Sequence, residues 1–238
     1  MSDPVIWHDI ENGPYREDLA LWQTLAMRHG HPVLDIGCGT GRVALDLARA
    51  GFEVIAFDSD PVLVAALSER TGDLPITSFA ADAQEFTLDR QVPLAIVPMQ
   101  TVQLLDGEEG RARMFKSIRA ALEPEGTLAF AIADARTATT SPDDLLPAPD
   151  MKEVDGIVYA SRPVAVVDEG DQVSIHRSRE IVNTDGTYSE TSDRIALDVL
   201  DPETLEADGV AAGFTVLPRE SVAETGEYIS STVVMFRA

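Results

Sequence analysis

The sequence predicts an α/β protein built on one mostly parallel sheet, with an antiparallel β insertion, and three observations lead there. Between residues 32 and 132, short apolar runs alternate with amphipathic helical stretches, the pattern of a parallel sheet covered by helices on both faces. After Ala135 the pattern changes to β-like runs punctuated by "EGD" and "NTDG", the mark of an antiparallel meander. The α/β pattern then returns with one helix and two closing strands.

Each element can be justified in order. From Tyr15 to His29, Leu19, Leu21, Trp22, Leu25, Ala26 and Met27 recur at mixed three- and four-residue spacing and predict an amphipathic helix. "PVLDI" predicts the first strand, and "RVALDLARA" a helix that stops at Gly51. "FEVIAF" predicts a strand, and "DPVLVAALSER" a helix with Asp60 as N-cap and Pro61 at its first position. "PITSF", "PLAIV" and "TLAFAI" predict three more strands, with the helix "GEEGRARMFKSIRAALEP" between the last two. "RTATTSPDDLLPAPD" is a proline-containing connection, followed over residues 156–200 by three or four strands. In "DPETLEADGVAAGF" Asp201 caps a helix, Pro202 starts it and Gly213 lies just past its end. "FTVLP" and "STVVMFR" close the sheet, bringing its strands to seven.

Composition narrows the function classes. The chain has 238 residues, 45% of them apolar, and no apolar run long enough for a membrane span. Its first residues, "MSDPVIWHDIENGPYRED", are acidic and lack the basic and apolar regions of a signal peptide. Cys38 is the only cysteine, so no intrachain disulfide can form and a cytoplasmic location fits. His8, His29, His31 and His176 form no zinc-ligand spacing with it, so no metal is expected. A net charge of -23 would repel a phosphate backbone, which argues against a nucleic-acid partner.

The most informative stretch is "LDIGCGTG", residues 34–41, at the carboxyl end of the first strand. Ligands of open α/β sheets bind there. Glycines let the backbone turn tightly and admit a ligand closely. The N-terminus of the following helix favours a negative group. Asp58 ends the second strand about twenty residues on, where a carboxylate can accept both hydroxyls of a ribose. Spacing then discriminates between ligands. A dinucleotide loop wants G-x-G-x-x-G, whereas Gly37, Gly39 and Gly41 give G-x-G-x-G. A phosphate-cradling loop ends in Gly-Lys-Ser/Thr, and here Arg42 and Val43 follow Gly41.

"VLDIGCGTGRVALDLARAGFEVIAFDSDP" resembles the first motif and second strand of class I S-adenosylmethionine-dependent methyltransferases. "AADAQEF", "AIVPMQTVQLL", "ALEPEGTLAFAI" and "LEADGVAAGFTV" resemble later segments of that family, so the likeness covers nearly the whole chain apart from the meander. The resemblance implies a Rossmann-like, doubly wound, seven-stranded sheet whose last strand is antiparallel. It implies one methyltransferase domain over residues 1–238, with a helical cap at 1–30, a cofactor-binding half at 31–135, the β insertion at 150–200 and closing elements at 201–238. It also implies S-adenosylmethionine as cofactor, S-adenosylhomocysteine as product, and a small-molecule methyl acceptor. The cofactor would be held by Asp35, Gly37, Cys38, Gly39 and Gly41 on the loop, and by Asp58 and Ser59 at ribose and adenine. Asp82 and Ala83 would face the adenine, and Pro98 and Met99 would border the cofactor. Cys38 suits the loop by its small size and is given no redox role. One departure stands out. Members often carry an aromatic-Asp pair entering the fourth strand, and this chain has Pro93-Leu94.

The acceptor site is less legible. Gln100, Thr101 and Gln103 stand where members carry Asn, Ser or His, and glutamine cannot act as a base at neutral pH. The meander resembles an insertion of glycine and amino-sugar N-methyltransferases, where it covers the acceptor or pairs subunits, so a homodimer is one option. If Asn183–Gly186 forms a four-residue turn, Val182 faces Thr187, Arg179 faces Glu190 and His176 faces Asp193. That register offers His176, oriented by Asp193, as a general base. Tyr15, Gln100, Gln103 and Asp134 are further acceptor-site candidates, whereas Met151, Tyr159 and Tyr228 read equally well as packing residues.

The leading expectation is methyl transfer to nitrogen or oxygen of a small molecule. The alternative is a protein that binds S-adenosylmethionine or S-adenosylhomocysteine without turnover. Aminopropyl transfer would need paired aspartates after the fourth strand, which "PMQTVQLL" lacks, and a nicotinamide enzyme is disfavoured by the glycine spacing.

Overall fold

Val33, Leu34, Asp35 and Ile36 are buried one after another, as a strand covered on both faces requires. In the computed structural model, which describes residues 3–138 and 147–238, they form the middle of the larger of two sheets. The middle of the expected proline-containing connection, 139–146, lies outside the described residues.

In chain order the first elements are α1 (Asp3–Asn12), α2 (Leu19–His29), β1 (Val33–Ile36), α3 (Arg42–Arg49), β2 (Val54–Asp58), α4 (Pro61–Thr71) and β3 (Ile76–Ala80). Then come β4 (Val92–Val97), α5 (Glu108–Ala121), β5 (Leu122–Ile132), β6 (Asp150–Val154), β7 (Ile157–Asp168), β8 (Gln172–Val182) and β9 (Tyr188–Asp198). The chain closes with α6 (Pro202–Ala211), β10 (Thr215–Val222) and β11 (Ser231–Arg237). The larger sheet has the order β10-β11-β5-β4-β1-β2-β3, and only β11 runs against the others. This is the doubly wound sheet with an antiparallel last strand that the sequence predicts.

The strand alternation sorts its side chains onto two faces. Val33, Ala56, Leu94 and Ile96 pack with Trp22, Leu25, Leu47 and Leu67 of α2, α3 and α4. Leu34, Phe57, Val97, Phe130 and Phe236 pack on the other face with Met114, Phe115 and Ile118 of α5 and Leu205 of α6. Phe115 anchors that side, edge-on to Phe130 and to Phe236 at centroid distances of 5.1 and 5.5 Å. The expected caps form as well: Asp60 accepts the Val62 N–H at 2.8 Å, and Asp201 accepts the Thr204 N–H at 2.7 Å.

Two compact units result, one of residues Met1–Tyr15 with Asp134–Val199, the other of Arg16–Ala133 with Leu200–Ala238. The second holds the seven-stranded sheet. The first holds a four-stranded antiparallel sheet, β6-β7-β8-β9, and α1. Helix α1 lies within the helical cap expected over residues 1–30, although the acidic, proline-broken start of the chain gave no separate helix before Tyr15. Its signals are Pro4 in the first turn, Ile6 and Ile10 four apart, and Gly13 just past the end. It lays Ile6, Trp7 and Ile10 against Tyr159. Trp7 meets the Tyr159 ring edge-on at 5.3 Å. Glu11, at the end of the same face, takes a fork of two 2.7 Å hydrogen bonds from Arg179 and a third from Ser161. Those donors hold the Glu11 carboxyl below its ordinary range against the opposing effect of its burial, the largest influence on it.

The β8–β9 register corrects the expected one. Gly186 takes a left-handed φ of 83° and donates to the Asn183 carbonyl at 2.9 Å, while Asn183 donates to the Thr187 carbonyl at 2.9 Å. The loop is therefore three residues, Thr184–Gly186, a turn closed by a left-handed glycine, where four were expected. Val182 consequently pairs with Tyr188, and every residue of β9 moves by one place. His176 lies opposite Arg194, and Asp193 lies opposite Arg177 with its carboxylate 3.0 Å from Arg179. Asp193 cannot orient His176 from there, because a one-residue shift puts the two side chains on opposite faces of the sheet. The His176–Asp193 pairing expected from the sequence is not formed.

Candidate functional site

The strand order reverses direction between β1 and β4, so the segments leaving those two strands diverge and open a crevice at their carboxyl ends. The glycine loop lies there. Its backbone is tied to β2, since Gly37 and Cys38 both donate to the Phe57 carbonyl at 2.9 and 3.0 Å. Asp58, the next residue of β2, accepts the Gly39 N–H at 2.9 Å and the Asp60 N–H at 3.0 Å. A carboxylate offers about four lone-pair sites, so Asp58 holds the loop and keeps acceptor capacity for a ligand hydroxyl. The Ala81 N–H donates to the Asp58 carbonyl at 3.0 Å, bringing the 81–83 segment to the same edge. Asp82 is exposed there and accepts the Gln84 N–H at 2.8 Å, Ala83 is half-buried, and Ser59 is exposed.

On the other side of the crevice, β4 runs into Pro98 and Met99. Pro98 is buried, and Met99 adopts a left-handed φ of 55°, a strained choice for a residue with a side chain. A short 3-10 helix, Thr101–Leu104, follows. It packs directly on the loop: a Cβ at Gly37, where φ is 75°, would lie 2.5 Å from Cγ2 and 2.8 Å from Oγ1 of Thr101. Replacing Gly37 by alanine should therefore push the two segments apart. We expect at least a tenfold loss of cofactor affinity by calorimetry, together with about 1–3 kcal/mol of lost stability. Unchanged affinity would mean that the loop does not contact the ligand.

Asp35, at the third position of β1, is 1% exposed, and neither of its carboxyl oxygens has a hydrogen-bond partner. Burial is the main reason its carboxyl is pushed up to about 7, with the nearby Asp58 and Asp18 charges adding to it. Arg42 and the amide of Ala44 pull the other way. The Arg42 guanidinium forks onto Asp18 at 2.5 and 2.8 Å, and Asp18 also accepts the Trp22 Nε1–H at 2.8 Å. Asp18 thus takes most of the neutralising charge, and Asp35 is left without a direct counter-ion. The sequence carries no local sign of this Asp18–Arg42–Trp22 cluster, which joins residues 24 positions apart. Cys38 is buried too, and its thiol is held protonated far above its usual range by burial and by Asp35 and Asp58.

The acceptor candidates belong to both units. Gln103 is buried, its amide clamping the end of β5: Nε2 donates to the Ala133 carbonyl at 3.1 Å and Oε1 accepts the Ala133 N–H at 3.0 Å. Gln100 is half-buried, and its carbonyl accepts the Gln103 N–H at 2.8 Å. Tyr15, Asp134, His176 and Asp193 belong to the unit of the four-stranded sheet. Tyr15 is buried there, and Asp134 is exposed with its carboxylate forked by Arg136 at 2.8 and 2.9 Å, which holds it below its ordinary range. A pocket of about 420 Å³ along β2 and β3 is lined by Ile55, Thr77, Phe79 and Leu88, and no residue of the glycine loop lines it. Among the described residues no group of three acidic, histidine or cysteine side chains is placed to hold a metal, and no helix is long and apolar enough to cross a membrane.

Residues 33–126 match the family described as a methyltransferase domain. The protein YqeM of Bacillus subtilis (strain 168) is 28% identical over 137 residues, covering 56% of this chain and 55% of its own. The chain spans about half the length of the curated relatives it matches. Among solved structures, the sugar N-methyltransferase KedS8 from Streptoalloteichus superposes with a TM-score of 0.75 at 18% identity, over 100% of this chain and 94% of its own. CalS10, an amino pentose methyltransferase from Micromonospora echinaspora solved with S-adenosylmethionine bound, gives 0.72 at 18% identity, over 100% and 98%. Residues 33–126 thus match a methyltransferase domain, and the chain shares the fold of solved S-adenosylmethionine-dependent methyltransferases.

Proposed function

We propose that the chain transfers a methyl group from S-adenosylmethionine to a nitrogen of a small molecule, with oxygen as the second choice of acceptor atom. The observation that carries this reading is the glycine loop held by Asp58, with the orphaned Asp35 carboxyl beneath it. A buried acid without a partner suits a ligand that brings a positive charge, and a loop with neither a Lys-Ser/Thr ending nor a third glycine in dinucleotide register suits one without a phosphate. The methionine part of the cofactor has both properties.

In this reading the bound cofactor supplies an activated methyl group on a sulfonium, and the chain's own residues bind, orient and exclude water. Asp35 and Gly37–Gly41 would receive the amino-acid part, and Asp58 the ribose hydroxyls. Ser59, Asp82 and Ala83 would line the adenine, with Pro98 and Met99 at the border facing the reacting atoms. An amine with a free lone pair needs no general base, which accords with Gln100 and Gln103 in place of a histidine. Fold neighbours that are a sugar N-methyltransferase and an amino pentose methyltransferase favour nitrogen. The buried, unpaired Cys38 thiol suits the cytoplasm, and the four-stranded sheet offers a surface for a homodimer.

Calorimetric titration with S-adenosylmethionine, S-adenosylhomocysteine and NAD tests the reading. We expect micromolar binding of the first two, none of NAD, and a loss of at least a hundredfold in folded Asp58→Ala, which removes both the ribose acceptor and the anchor of Gly39. No binding of either adenosyl compound by the folded chain would refute it.

A further inference from the structure

Asp35 invites one inference beyond its membership of the site, and it rests on the cofactor reading just given. Its carboxyl is 1% exposed, has the Ala44 amide nearby but makes no hydrogen bond of full geometry at either oxygen, and sits under a loop whose backbone donors point elsewhere: Gly37 and Cys38 to the Phe57 carbonyl, Gly39 to Asp58, and Gly41 to the Cys38 carbonyl. An ionised carboxylate in such a place is costly to bury without a partner. The charged groups facing it do not supply one. Arg42, from α3, is engaged bidentately by Asp18, which precedes α2. Asp58, from β2, is itself acidic, and the Cys38 thiol is held protonated.

We propose that Asp35 is a protonated carboxylic acid in the free protein at mildly acidic pH, and that it releases its proton when a cationic amino-acid group binds the glycine loop. The step balances simply. The carboxyl O–H bond breaks, its electron pair stays on the carboxylate facing the ammonium, and the proton passes to buffer. Because the carboxyl of the free chain titrates near 7, the site selects its ligand by charge, and binding weakens as the pH falls below that value. The same acid discriminates against ligands whose corresponding group is neutral, for which the proton would have to stay.

Calorimetry of S-adenosylhomocysteine binding at pH 6, in buffers of different ionisation enthalpy, reads the proton directly. At that pH an α-amino group is already protonated, so any proton released comes from the protein. We expect release of close to one proton per chain, absent in Asp35→Asn, and an affinity falling about tenfold for each pH unit below 7. Binding with no release, or with the same release in Asp35→Asn, would overturn the proposal while leaving the cofactor reading intact. No binding at all would overturn both. Should Asp35→Asn fail to fold, infrared difference spectra of the natural chain decide: loss of a protonated-carboxyl band on binding supports the proposal, and no change in that band overturns it.

Discussion

Asp18→Ala should destabilise the protein by about 3–5 kcal/mol, the cost of breaking a buried ion pair from one side. Asp18 is 1% exposed, and its partner Arg42 has a side chain only 8% exposed. The carboxylate accepts both ends of the Arg42 fork and the Trp22 Nε1–H. Its removal leaves a guanidinium without its counter-ion and an indole N–H without its acceptor, at the point where α2 and α3 pack on the sheet. A buried donor left unsatisfied costs its full desolvation. Asp18→Asn keeps an acceptor for Trp22 and isolates the charge effect. Urea unfolding of both variants is the measurement. A loss below about 1 kcal/mol in Asp18→Ala would show that Arg42 turns to Asp35 as a replacement partner.

The second large effect depends on pH. In an unfolded chain an aspartate is ionised above about pH 4, whereas folded Asp35 keeps its proton up to about 7. Between those values the folded state holds a proton that the unfolded state has lost, so this residue's contribution to stability declines as the pH rises through the window. It levels off above about 7, when both states are ionised. The full decline is on the order of 4 kcal/mol. Asp35→Asn cannot titrate and removes the decline. Its stability relative to the natural chain should thus improve by about 3 kcal/mol between pH 4.5 and pH 8, whatever fixed cost the amide brings. Urea midpoints of both chains, without cofactor, check this. An equal difference at the two pH values would mean that Asp35 is ionised in the free protein throughout. Because the same residue faces the cofactor's ammonium in the proposed complex, saturating S-adenosylhomocysteine should abolish the difference in pH slope.

Much of the site could be read before the fold. The glycine spacing, the acid at the end of β2 and the "ADA" segment after β3 each lie within one strand-loop unit, where local sequence decides backbone geometry. The structure joins them through Gly39 to Asp58 and Ala81 to Asp58, contacts between neighbouring parallel strands. Gln103 was legible as a non-base but not as a clamp on Ala133, because its partner comes from β5, 30 residues away. The His176–Asp193 expectation failed for a different reason. Hairpin register turns on a single residue's backbone conformation, and "NTDG" admits loops of two, three or four residues. The left-handed Gly186 selects three.

The sequence by itself determined the alternation of strands and helices, the caps at Asp60 and Asp201, and the glycine loop. These depend on side-chain periodicity and on turn chemistry within a few residues. Only the tertiary structure decided which acid lacks a counter-ion. Asp18, Asp35 and Asp58 are alike as letters, yet Asp18 takes the Arg42 fork, Asp58 takes two backbone amides, and Asp35 has neither. Charge state depends on burial and on partners brought from distant parts of the chain, and no local pattern encodes those.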